Sequence, residues 1–164
     1  EPNNNAFYIL THNSNSYLLD TIKSRCIEFK MLLNISSNKL IVQDYFNEDI
    51  YGSISKDLSS YYNDPSFTIS LINYLNENTL DYNTITIENL ISLIINNGDY
   101  IKNKFINQNI GFFVELFFYK RINLNNGINY KLKNYFYLKL NQIKKYNLDM
   151  ESYFIEFQEK LLSE

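Results

Sequence analysis

The sequence predicts a mainly α chain that opens with two short strands around a helix and then continues as helices. Three observations carry this. Phe7-Tyr8-Ile9-Leu10 and Cys26-Ile27-Glu28-Phe29 are short runs rich in aromatic and β-branched residues. Between them lie the turn-forming Thr11-His12-Asn13-Ser14-Asn15 and a helical spacing of Leu18, Leu19 and Ile22. From about Leu32 onward apolar residues recur at three- and four-residue intervals, and no strand-like run returns. A nearly continuous apolar strand, a crossover helix and another strand are the pattern of a buried parallel sheet.

Each later element has a local signal. Ser36-Ser37-Asn38 is expected to cap a helix from Lys39 to Phe46 whose buried face is Leu40, Ile41, Tyr45 and Phe46. A second helix is expected from Ser53 or Ser55 to Tyr62. A third starts at Asp64-Pro65, with Asp as cap and Pro in the first turn, and runs through Phe67, Ile69, Leu71, Ile72 and Leu75. Asn76 to Thr84 lacks an apolar period and is the expected domain boundary. Four amphipathic segments follow: Thr86 to Asn96, Asp99 or Asn107 to Ile122, Tyr130 to Tyr146, and Asp149 to Leu162. Their stripes include Leu90, Leu93 and Ile94; Phe113, Leu116, Phe117 and Lys120; and Tyr153, Phe154, Phe157 and Leu161. Asn125-Asn126-Gly127 is a turn.

Composition narrows the function classes. At 164 residues, 45% hydrophobic and 20% charged, the chain can bury a core as one ordinary domain or two small ones. Abundant Asn, with 15 Tyr and 12 Phe and no Trp, points to compositional drift, so Asn and Lys are poor functional markers here. A net charge of -3 gives no global field for nucleic acid. A single cysteine cannot form an internal disulfide and suits a reducing cytoplasm. There is no signal peptide and no apolar run long enough for a membrane span, so no membrane partner is expected. Beginning at Glu1 without Met, the chain is expected to be a fragment.

The first 31 residues carry a resemblance. Ile9-Leu10-Thr11-His12-Asn13, the spacer Leu18-Leu19-Asp20-Thr21-Ile22 and then Ser24-Arg25-Cys26 resemble the sensor-1 to SRC segment of the AAA+ clamp-loader family. These are the pentameric machines that open and load the sliding clamp of DNA polymerase. Glu1-Pro2 fits the end of the Glu-Pro dipeptide that precedes this strand in the family. The resemblance implies three parts: the end of an AAA+ α/β core in residues 1–33, a three-helix lid in 34–78, and an all-α collar for oligomerisation in 79–164. It assigns Arg25 as an arginine finger acting in trans on ATP held by a neighbouring subunit, and places Asn13 at the sensor-1 position, where it would meet a nucleotide bound nearby. The partners it implies are the gamma/tau and delta subunits of bacterial DNA polymerase III, with the sliding clamp and primed DNA reached through the assembly.

The residues support part of this by themselves. Arg25 and Arg121 are the chain's only arginines, and a planar, permanently charged guanidinium can hold a phosphate bidentately as lysine cannot. The competing reading of Arg25 is a surface residue favoured by a helix C-terminus. Asn13 can orient water or a phosphate oxygen, or simply turn the chain. His12 is the single histidine and reads as a turn residue; no metal site is expected. Cys26 reads as a small core residue opening a buried strand.

The four glycines, at 52, 98, 111 and 127, lie outside any G-x-x-x-x-G-K-[ST] pattern, so the chain is expected to bind no ATP itself. Asn63-Asp64-Pro65-Ser66-Phe67-Thr68-Ile69 has no basic residue where ATP-hydrolysing family members carry a lid arginine. That combination resembles the non-hydrolysing, delta-prime type of subunit. The alternatives are a gamma/tau-type or other AAA+ ATPase truncated before its P-loop, and a helical scaffold with no link to ATP. Lys139, Lys144 and Lys145 read as solubilising charges, and Tyr130, Tyr135, Tyr137 and Tyr146 as either core or interface. Because the two expected strands would not be neighbours in an AAA+ sheet, residues 1 to about 35 on their own are expected to be poorly ordered or non-natively arranged.

Overall fold

In the computed structural model, residues 6–12, 17–30, 33–59, 64–123 and 130–162 are described, and every regular element among them is helical. The chain divides into two units, Glu1–Leu33 and Asn34–Glu164.

In the first unit the regular element is a single turn, α1 (Asp20–Lys23). Local bonds hold it. The Tyr17 hydroxyl donates to Asp20 at 3.5 Å, the Ser24 hydroxyl to the Thr21 carbonyl at 3.2 Å, and Lys23 Nζ lies 5.8 Å from the centre of the Tyr17 ring. The two expected strands are absent: residues 6–12 and 27–30 have no regular structure, and Phe7, Ile9, Ile27 and Phe29 are between 82 and 98% exposed. A strand needs a neighbour to pair its N–H and C=O groups, and none of the described residues supplies one. Cys26 is accordingly exposed and is not the core residue that the sequence suggested.

The second unit begins earlier than its cap signal indicated. In α2 (Ile35–Phe46) Asn34 Oδ1 accepts from Ser37 N at 2.7 Å, so Ser36-Ser37-Asn38 lies inside the helix. The expected face holds only at Phe46, which packs against the core. Leu40, Ile41 and Tyr45 are exposed, while Asn38 and Val42, one turn apart, are buried toward α3 (Ile50–Ser53) and α5 (Pro65–Glu77). Of the second expected helix, α4 (Lys56–Ser59) lies within the described residues, α3 precedes it as a separate turn, and positions 60–62 lie outside the described residues. Ile54 leaves helical geometry, and Ser55 N donates to the Tyr82 carbonyl at 2.9 Å.

From α5 onward the local signals hold. Asp64 Oδ1 accepts from Phe67 N at 2.6 Å with Pro65 in the first turn. Thr86 caps α6 (Ile87–Asn97) by accepting from Asn89 N at 3.2 Å, and Gly98 ends it at φ 68°, a left-handed conformation that glycine adopts without strain. α7 (Asp99–Lys102) leads into the 20-residue α8 (Lys104–Asn123), whose first turn is capped by Asn103 Oδ1 accepting from Ile106 N at 3.1 Å. α9 (Tyr130–Tyr146) follows, and α10 (Glu151–Phe157) continues into a π-helical turn, Gln158–Leu162. The Asn125-Asn126-Gly127 turn lies outside the described residues.

An aromatic core unites these helices. Phe117 and Phe118 of α8, Phe136 of α9 and Phe157 of α10 are fully buried. The Phe157 ring centre lies 5.1 Å from that of Phe117 and 5.2 Å from that of Phe136. Phe67 of α5 packs on Phe112 and Phe105 of α8 at 4.7 and 5.3 Å, so packing crosses the 78/79 boundary expected between lid and collar. Rings at such distances add about 0.5–1.5 kcal/mol per pair beyond their area burial. Replacing Phe157 by Ala is therefore expected to lower unfolding free energy by about 3–5 kcal/mol, against less than about 0.5 kcal/mol for Leu40→Ala on the exposed face of α2. Urea unfolding measures both, and equal losses would reject this placement of the core.

Candidate functional site

Arg25 follows α1 directly, in a turn where Arg25 N donates to the Ile22 carbonyl at 3.0 Å and Cys26 N to the Lys23 carbonyl at 3.4 Å. The residue is exposed. Among the described residues no carboxylate or ring is shown engaging its guanidinium. Asn13, the other sequence-derived site residue, lies outside the described residues. His12 is described and exposed. Among the described residues no group of His, Cys, Asp and Glu is placed to hold a metal ion, and no helix is long and apolar enough to cross a membrane.

The second unit spends many of its charges on itself. Lys120 Nζ lies 2.5 Å from Asp57 and 2.9 Å from Glu88, and Asp57 also accepts from Ile87 N at 3.3 Å. This knot ties α4, α6 and α8 together. Burial opposes the Lys120 charge, but the hydrogen bonds to Asp57 and Glu88 outweigh it and hold the ammonium above the ordinary lysine range. Tyr74 donates to Asp99 at 2.6 Å, and burial, reinforced by that bond, pushes its hydroxyl well above the usual tyrosine range.

A second knot joins α9 to the C-terminal helix. Glu156 accepts from Lys139, from Lys160 at 2.5 Å and from the Tyr135 hydroxyl at 2.9 Å. Hydrogen bonds from Lys139 and then Lys160 lower its carboxyl to about 2, with burial acting in the opposite direction.

A groove of about 430 Å³ runs beside the C-terminal end of α9, between Asn107 and Gln108 of α8 and Lys144 and Asn147. Burial lowers the Lys144 pKa, and no hydrogen bond joins its ammonium to a carboxylate among the described residues. Asp149, on the rim, is committed to capping α10, accepting from Glu151 N at 3.1 Å and Ser152 N at 3.4 Å. The arrangement can attract an anion but offers no acid–base pair.

Arg25 stands exposed in the turn after α1, and sequence reasoning missed the two knots. Apart from Glu156 and Lys160, four residues apart in one helix, their partners lie 17 to 63 residues apart, so helical spacing carries no trace of them. No family model, curated protein or solved structure matches the chain.

Two measurements check these environments. Cys26 is expected to react stoichiometrically with a thiol reagent in native buffer, at the rate of an unfolded control; protection would contradict its exposure. Because folding depresses the Glu156 pKa, its stabilising effect is present above the unfolded value near 4.5 and is lost as pH falls toward about 2. Urea midpoints followed from pH 5 to pH 2 are expected to fall more steeply for the native chain than for Glu156→Gln.

Proposed function

We propose that the chain is a delta-prime-type subunit of the bacterial replicative clamp loader, supplying Arg25 in trans to ATP bound by a neighbouring subunit. The observation that supports this most is the solvent-facing guanidinium of Arg25, set between Ser24 and Cys26 in the turn after α1. In this reading residues 1–33 are the end of an AAA+ core, 34–78 a lid and 79–164 the collar through which the subunit joins gamma/tau and delta. The sliding clamp and primed DNA are then engaged by the assembly.

The mechanism asks little of this chain beyond position and charge. A guanidinium fork donates two parallel hydrogen bonds to phosphate oxygens, and these strengthen as charge develops on the transferring phosphoryl group. Arginine remains protonated throughout, so Arg25 moves no proton. Asn13, at the sensor-1 position, would orient a water or a phosphate oxygen of a nucleotide bound nearby. The helix start at Asp64-Pro65 supports the non-hydrolysing assignment, since Asp64 caps its own helix where a hydrolysing relative presents arginine.

A structural-scaffold reading is favoured by a different observation, the self-contained aromatic core of residues 34–164. One experiment separates the two. With the complete protein reconstituted with gamma/tau and delta subunits, Arg25→Ala is expected to lower DNA-stimulated ATP hydrolysis about a hundredfold or more, with the assembly intact on a sizing column. An unchanged rate would reject the finger, and failure to co-elute would reject clamp-loader membership.

A further inference from the structure

The groove beside the C-terminal end of α9 contains a cation that the fold does not use. Lys144 turns inward over α8: its Nζ lies 3.7 Å from where a β-carbon on Gly111 would stand, and Leu140 Cδ2 lies 3.8 Å from the same point. Glycine at 111 leaves the ammonium that room. Among the described residues no hydrogen bond or ion pair reaches it, and burial lowers its pKa with no neighbouring charge contributing. A partly desolvated ammonium without a counter-charge costs stability until an anion meets it.

The rest of the groove is of two kinds. Buried Ile143 and half-buried Met150 lie deepest, and Ile101 and Leu148, 63 and 55% exposed, stand at the edge as apolar walls. Gln108 and Asn147 line the same space, and their side-chain amides bond to nothing else among the described residues. Asn107 donates one amide hydrogen to the Tyr100 carbonyl at 2.7 Å, which leaves its side-chain oxygen free. The carboxylate on the rim, Asp149, is engaged at the start of α10 by Glu151 N and Ser152 N. At about 430 Å³ the groove falls within the size range of ligand sites, about 300–1,000 Å³.

One cation, three amides and an apolar floor fit the free C-terminal end of a peptide whose last residue is apolar. The single ammonium complements the single charge of the terminal carboxylate, the amides meet the last peptide N–H and C=O groups, and the apolar side chain covers Ile143 and Met150. A fatty acid would leave the amides without partners, since its chain offers no polar group. A phosphorylated segment would bring about two charges to one lysine.

We propose that the groove between α8 and the C-terminal end of α9 is a docking site for the C-terminus of a partner polypeptide that ends in a large apolar residue, with Lys144 on its terminal carboxylate. This site is independent of Arg25 and of clamp-loader membership. The test is fluorescence anisotropy of an N-terminally labelled peptide, Gly-Ser-Gly-Ser-Leu-Phe, titrated with the 164-residue chain. The free acid is expected to bind at least about tenfold tighter than the same peptide ended as an amide. Lys144→Gln, which removes the charge and keeps much of the stem over Leu140, is expected to weaken the acid about tenfold and the amide less than about twofold. Leu148→Ser, at the apolar edge, is expected to weaken both about threefold. The control Lys104→Gln, on an exposed residue at the start of α8, should leave affinity within about twofold of the native value. The proposal is overturned by no anisotropy change up to about 1 mM chain, by equal binding of acid and amide, or by an equal loss in the control. It is also overturned if octanoate displaces the peptide at equal concentration, which would assign the groove to a free fatty acid.

Discussion

Phe157 contacts Phe117, Phe118, Phe136 and Tyr153, and through these rings α10 is closed onto α8 and α9. The rest of the second unit depends on that closure. α8 has fully buried side chains at 113, 114, 117 and 118, which point in several directions around the helix. A helix apolar on several sides is stable in water only when other helices cover each side. α4, α6, α7 and α9 supply that cover, and α5 reaches the same helix through Phe67. With no tryptophan in the chain, Phe and Tyr fill this volume, and their rings meet edge-on or tilted as the aromatic quadrupole prefers.

Electrostatics divides the charged residues into two populations. Lys120, Asp57 and Glu88, like Glu156 with Lys139 and Lys160, satisfy one another at the edges of the core, where leaving any member unpaired would be costly. These charges serve the fold. Arg25 is not used in this way, and an exposed cation without a structural duty is available to an anion. The finger reading rests on that distinction.

The first unit shows what happens when an apolar pattern lacks a partner. Residues 6–12 and 27–30 have the composition of strands, yet a strand's stability comes from cross-strand pairs and from a covered face. Without either, ordering the backbone costs about 1–2 kcal/mol per residue with nothing to offset it. Among the described residues of this unit only the turn around Asp20, held by bonds spanning three residues, takes regular form.

Features encoded within one or two turns were determined by the sequence itself. Asp64-Pro65, Thr86 and Gly98 bound their helices because a cap bonds to groups two or three residues away, and the apolar stripe of Tyr130–Tyr146 marked α9 residue for residue. Arg25 was legible in the same sense, as a residue type at a position. Tertiary structure decided the rest: that α2 turns Val42 inward and Tyr45 outward, that Ser55 bonds to Tyr82 between α3 and α4, and that Cys26 is exposed. It also decided which cations are paired with Asp57, Glu88 and Glu156 and which remain on the surface. Burial and ion pairing join residues far apart in the chain, and a local pattern holds no record of which distant surface it will meet.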